Sequence, residues 1–210
     1  LTTYVLEFPY EDQKTLDKKY YLYSHSFIPR NRMQEHMDKE DNAPYVIWER
    51  EGLLTATTAA GGIKTDYKAI LTHLHENVDK YDIDLTAIAY DPHNASAFLV
   101  DLDDFGCDLI EIKQSARSLN DATKDFQLEV KAGNMEHNQD DQLLTRSMND
   151  AIISEPNSFG EIKIDKMIQK VRIDPCDAAI DAHKVAMGIE VEEMTTDEIV
   201  EAYLKMFEEE

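Results

Sequence analysis

The stretch from Ile83 to Ile112, IDLTAIAYDPHNASAFLVDLDDFGCDLIEI, decides the class of fold. Ile83 to Tyr90 is a short apolar run of the kind a buried strand needs, Asn94 to Phe105 has helical spacing, and Cys107 to Ile112 is a second strand with Leu109 and Ile110 flanked by acids. Leu119 to Val130 then reads as a helix opened by Ser118 or Asn120. Strand, helix, strand and helix in units of this size predict a parallel α/β core with short connections.

Outward from that core the pattern changes. Thr2 to Phe8 and Tyr20 to Phe27 alternate and are rich in aromatic and branched residues, so with the polar turn between them they read as a hairpin. Residues 29 to 42 are polar and partly helical in pattern, and Asp66 caps a run with Tyr67, Ile70, Leu71, Leu74 and Val78 at helical spacing. Beyond His137 come a helix from Asp141 to Ala151, a short hairpin around Asn157 to Gly160, and a helix from Asp174 to about Met187. The simplest organisation is one α/β domain over 1–190 followed by an acidic amphipathic helix over 191–210.

The chain has 210 residues, with 43 Asp and Glu against 21 Lys and Arg, a net charge of −22. At 42% hydrophobic it can fill a core, which excludes a disordered acidic chain. No apolar run approaches the roughly 18 to 20 residues of a membrane span, and residues 1–12, with Glu7, Glu11 and Asp12, have neither the basic nor the apolar region of a signal peptide, so none is expected within them. Cys107 and Cys176 make neither a zinc framework nor a disulfide scaffold, in keeping with a reducing cytosol. The total charge argues against nucleic-acid binding, because polyanion binders show a basic footprint. The acids are concentrated, however, in 79–111 and in 190–210, while 161–173 is net +2.

Several chemistries fall away on spacing. Gly61-Gly62-Ile63-Lys64-Thr65 lacks the glycine directly before the lysine that a phosphate loop needs, so it is a turn. His73 and His75 point to different faces of one helix and read as surface histidines. No nucleophile elbow occurs. Carboxylates remain. Asp91 ends the apolar run Leu85 to Tyr90, at the strand edge where open α/β sheets bind ligands, although a turn is the common use of Asp before Pro. Asp174 precedes Pro175 and suits a helix cap. Brought together, the two can hold Mg2+ or Mn2+, hard cations that take carboxylate oxygens.

Six blocks in consistent order then resemble the C-terminal nuclease domain of the large terminase subunit of tailed bacteriophages. Leu1 to Pro9 resembles the family's second strand, and Pro44-Tyr45 with Trp48, Gly52 and Leu54 resembles its next segment. Ala89-Tyr90-Asp91-Pro92 is similar to the block carrying its second catalytic Asp, followed by Ile110 to Gln114 and by His137 to Asn149. Arg172-Ile173-Asp174-Pro175 resembles the block whose Asp is the last metal ligand.

The resemblance implies an RNase H-like α/β fold, a mixed central sheet flanked by helices, and a two-ion Mg2+ or Mn2+ site. It implies endonucleolytic cutting of concatemeric double-stranded DNA during viral genome packaging, in the cytoplasm of an infected bacterial host or from a prophage. The implied partners are a terminase ATPase domain, the small terminase subunit and the portal protein, with no membrane. Carried over residue by residue, Asp91 and Asp174 are the catalytic ligands. Asp177 and Asp181 keep one helical face with Asp174 and can add a ligand or serve as surface acids. The family's first catalytic Asp lies on a strand just before the segment that Leu1 begins, so this chain is expected to lack it and to hold cations less tightly. Lys163, Lys166, Lys170 and Arg172, with Lys113, Arg117 and Lys124 as a second set, are candidate DNA contacts or solvated surface. Another RNase H-like nuclease, such as a resolvase or recombinase, and a non-catalytic docking module of the motor are the alternatives.

Overall fold

The computed structural model describes residues 1–37, 43–95 and 99–191. In chain order the elements are β1 (Thr2–Glu11), β2 (Lys18–Pro29), α1 (Arg30–Met37), α2 (Tyr45–Arg50), β3 (Leu54–Thr57), α3 (Ala59–Gly62), α4 (Tyr67–Tyr81), β4 (Ala87–Tyr90) and α5 (Pro92–Ala95). There follow α6 (Leu99–Asp103), β5 (Asp108–Glu111), α7 (Ala116–Ala132), β6 (Met135–His137), α8 (Gln142–Asp150), β7 (Ala151–Ile153), β8 (Ile164–Lys166) and α9 (Asp174–Ala186). No helix among the described residues is long and apolar enough to cross a membrane.

The expected hairpin is present: β1 and β2 run antiparallel with Thr2 opposite Phe27 and Glu11 opposite Lys18. Asp12 closes its turn, accepting from the Lys14 and Thr15 amides at 2.8 and 3.1 Å. The other edge of β2 is shared by two short parallel strands, β6 beside Tyr20 to Leu22 and β3 beside Ser26 to Pro29, which makes a mixed four-stranded sheet. Side chains alternate across a strand, so Tyr4 and Glu7 lie on opposite faces of β1. Tyr4 meets His73 of α4, and Glu7 meets His183 of α9, so helices flank the sheet on both sides. The principal core joins Leu22 of β2, Ile112 just past β5, and Leu119, Phe126, Leu144 and Ile180 from the helices α7, α8 and α9.

The parallel pair of the α/β core is β4 and β5, with Ala87 opposite Asp108 and Tyr90 opposite Glu111. The strand expected from Ile83 is shorter and starts at Ala87, because 83–86 pass as irregular backbone. The helix expected from Asn94 to Phe105 is two short pieces, α5 and α6, and 96–98 between them lie outside the described residues, as do 38–42. The cap of α7 is Ser115, whose side chain accepts from the Ser118 amide, rather than Ser118 or Asn120. Asp66 and Asp141 cap α4 and α8 as their spacing requires. The acidic helix expected after residue 190 lies, from residue 192, outside the described residues.

His73 and His75 are not surface histidines. His73 takes a hydrogen bond with the Tyr4 hydroxyl at 2.7 Å and stacks on His25 with ring centroids 4.0 Å apart, while His75 stacks on Phe105 at 3.8 Å. The turn expected at Gly61 and Gly62 is the end of the short helix α3, kinked where Ala60 and Gly61 leave helical backbone, and a Cβ at Gly62 would meet the Arg30 side chain at 3.1 Å.

Candidate active site

Asp91 stands directly after β4, where its Oδ1 accepts from the His93 amide at 3.0 Å and opens α5. The carboxylate thus has the turn role open to any Asp here, and it also sits at the C-terminal edge of a parallel strand pair. The Ile112 amide bonds the Tyr90 carbonyl at 2.8 Å, extending the ladder to that edge.

Asp174 and Pro175 begin α9, and the cap is Ile173 rather than Asp174, with no side-chain hydrogen bond. Pro175 fits the first turn because its missing amide would have no helical partner there. The end of the helix is held from the side: the Cys176 amide donates to Ser147 Oγ of α8 at 2.9 Å, in a buried position. Asp174 Oδ1 lies 3.6 Å from the Leu1 nitrogen, and its Oδ2 is buried with no hydrogen-bond partner among the described residues. An orphaned buried carboxylate oxygen is costly unless a ligand meets it.

Asp177 and Asp181 follow on the same face, and both are half-buried. Burial, then the charges of Asp174 and Asp181, push the Asp177 carboxyl up to about 7. Burial also pushes Asp181 up to about 6, with Asp91 adding to the rise. The four acids therefore form a chain within electrostatic reach of one another: Asp91, Asp181, Asp177, Asp174. Asp177 and Asp181 are half-buried, neither fully solvated nor enclosed.

Gln114, which the chemistry of the sequence did not single out, completes the arrangement. Its Nε2 lies 2.9 and 2.8 Å from the two oxygens of Asp181, donating to the carboxylate. The signal was positional: Gln114 lies three residues past the end of β5, and Asp91 directly follows β4, so both lie beyond the same end of the strand pair.

The cationic candidates separate into groups. Lys163 and Lys166 act on Asp177, and Lys163 Nζ also reaches the Gln114 carbonyl at 3.5 Å. Lys170 and Arg172 lie with Arg146 in a cleft that includes Leu1. Lys113 is exposed beside Gln114. Arg117 and Lys124 are exposed on α7, and no hydrogen bond or ion pair among the described residues ties them to the acids.

Among the described residues no group of three or more His, Cys, Asp or Glu converges on one metal position. The donor set still suits a hard divalent cation: all-oxygen ligands, one of them orphaned and buried, in a row where burial, and after it the neighbouring acids, raises two of the carboxyls. Asp174 and Asp177 also lie in the first turn of α9, where the helix dipole favours anions.

Comparison with known proteins bears on the fold and the family. The sequence profile described as "Terminase large subunit, endonuclease domain" matches residues 3–190. The terminase large subunit of Enterobacteria phage HK97 is 29% identical over 150 residues, covering 70% of this chain and 28% of that protein. The crystal structure of the HK97 bacteriophage large terminase superimposes with a TM-score of 0.72 at 24% identity, over 88% of this chain and 36% of that one, which shows a shared fold. The chain thus spans about a third of the length of these relatives. With a profile matched across nearly all of its described length, the chain belongs to the terminase large-subunit endonuclease domain family.

Proposed function

We propose that this domain is a divalent-metal-dependent endonuclease that cuts concatemeric double-stranded DNA during viral genome packaging. The row of carboxylates from Asp91 to Asp174, at the edge of the parallel strand pair, carries the reading. Asp91 and Asp174 would hold Mg2+ or Mn2+, with Asp181 and Asp177 beside them. When bound, such ions activate water and stabilise the charge that develops on the leaving oxygen. Gln114 keeps Asp181 oriented toward the row, and Ser147 fixes the start of α9, so this chain's own contribution is to hold acids in place before substrate arrives. The motor ATPase, small subunit and portal would be partners within the host cytoplasm.

The resemblance also puts a further acid on a strand preceding Leu1. One observation supports that placement. Neither β1 nor β4 has a second strand partner beyond β2 and β5 among the described residues, and α9 packs against both.

The test is nicking of supercoiled plasmid by the large subunit that carries this domain. Mn2+-dependent nicking is expected, with loss in Asp91→Ala and in Asp174→Ala. Activity that persists in both variants would show that the site is elsewhere.

A further inference from the structure

The four-stranded sheet is covered unevenly. On the face away from α9, α4 lies over the inner half, where Tyr4, His25 and Phe27 pack around His73 and Asn77 Nδ2 donates to the Tyr4 hydroxyl at 2.7 Å. Residues paired directly across a ladder share a face, so the outer half of that face carries Phe8 opposite Tyr21 and Tyr10 opposite Lys19. Tyr21 and Tyr23 are 38% and 36% exposed there, against 3% and 1% for Tyr20 and Leu22 on the other face. A sheet buries its apolar face against a second layer, so an open aromatic half calls for a covering element.

The remaining sequence supplies one. Thr195 and Glu198 have the spacing of a capping box, and Ile199, Tyr203, Leu204 and Phe207 make the apolar stripe of the amphipathic helix expected after residue 190. The point at which α9 ends selects the surface this helix meets. Lys18, paired with Glu11 at the outer end of the hairpin, donates from Nζ to the carbonyls of Ala186, Met187 and Ile189 at 3.2, 3.3 and 2.6 Å. The chain therefore leaves α9 beside the same end of the hairpin that is open on its far face. Residues 192–196 in extended form reach roughly 16 Å, enough to round a layer about 10 Å thick. Residues 197–207 as a helix are about 16 Å long, and Lys19 to Tyr23 as strand extend about as far.

We infer that residues 197–207 dock as a helix on the open face of the β1–β2 hairpin of the same chain, with Ile199, Tyr203, Leu204 and Phe207 against Phe8, Tyr10, Tyr21 and Tyr23. Glu198 and Glu201 fall on the opposite side of that helix and stay in water. The end of α7 is also near the exit, the Tyr20 amide donating to the Asn134 carbonyl at 2.9 Å. Its outer face, however, sets Arg117, Asp121, Lys124 and Lys131 around one apolar side chain, Leu128, and offers an apolar stripe little to bury against. The inference stands apart from the endonuclease reading, since none of these residues belongs to the acidic row.

The experiment uses the whole chain with Cys107→Ser, which leaves the buried Cys176 as its native thiol. One variant adds Tyr21→Cys and Leu204→Cys, and a second adds Leu128→Cys and Leu204→Cys. Mild oxidation is expected to cross-link the first pair within one chain and to leave the second pair open. Amide hydrogen exchange over 197–207 is expected to be slowed in the unaltered chain and to speed up by about tenfold or more in Tyr21→Asp and in Phe207→Asp, each of which removes one large apolar contact. Phe207 lies beyond the α/β domain, so its substitution leaves the folding of that domain untouched. A cross-link in the Leu128 pair alone would move the segment to α7 and overturn the inference. A cross-link that joins two chains would give the face to a second copy and overturn it as well. Exchange over 197–207 as fast as in an unstructured peptide would overturn it whatever the cross-links show.

Discussion

Gln114 Nε2 donates to the carboxylate of Asp181, at 2.9 and 2.8 Å from its two oxygens, across 67 positions of sequence. This bond favours the charged carboxylate and partly offsets the burial that raises Asp181 to about 6. Replacing Gln114 by Leu removes the offset, so the carboxyl rises further and is less often ionised near neutral pH. The pH at which Mn2+ binding reaches half its maximum should move upward in Gln114→Leu relative to the unaltered chain. Calorimetric titrations between pH 5 and 8.5 would show it, and coincident profiles would mean that Asp181 takes no part in holding the ion.

Asp177 gives a stability prediction with a definite sign. Its folded-state value of about 7 lies above the ordinary 3.8, so between those limits the folded chain binds more protons than the unfolded one. Stability from this group is fully present below about pH 4 and is lost as pH rises through about 7. Asp177→Asn should therefore be more stable than the parent at pH 8 without metal, by at most about 4 kcal/mol. Urea melts at pH 8 and pH 4 test this, with the advantage vanishing at the lower pH.

His183 of α9 is fully buried between Glu7 Oε1 at 2.7 Å and Asp125 Oδ2 at 3.0 Å. Burial works against its charge, but the two carboxylates outweigh burial and raise its pKa. Both ring nitrogens meet acceptors, as an imidazolium requires. His183→Gln should cost about 3 to 5 kcal/mol at pH 6, most of it from stranding Glu7, since Asp125 is partly solvated. The loss should narrow as pH rises through the raised pKa, where the parent itself loses the contribution. Denaturant midpoints at pH 6 and pH 9 would reveal the trend.

Ser147 is 2% exposed and accepts the Cys176 amide at 2.9 Å, fastening the start of α9 to α8. Ser147→Ala leaves that buried amide unpaired, at a cost of about 1 to 3 kcal/mol. Because Asp174 lies in the same turn, the substitution should also weaken Mn2+ binding, although Ser147 carries no ligand. Hydrogen exchange at the Cys176 amide and Mn2+ titration would report the two effects separately.

What the amino-acid order determined unaided was local. Alternation placed the hairpin of β1 and β2, helical spacing with Asp66 and Asp141 placed α4 and α8, and the ends of apolar runs put Asp91 and Asp174 at element termini. Each depends on residues a few positions apart, where periodicity and capping act. Short strands carry no such signal: β3 and β6, with four and three residues, acquire their places only by pairing with β2. The packing of α9 against β1 and β4 decided that Asp177 and Asp181 are half-buried beside Asp174 and Asp91. It also brought Gln114 to Asp181, while the meeting of α2 with α8 laid Arg146 on Trp48. Those relationships join segments tens of residues apart, and only the register of the sheet and the docking of helices on it bring such side chains within hydrogen-bonding or stacking distance.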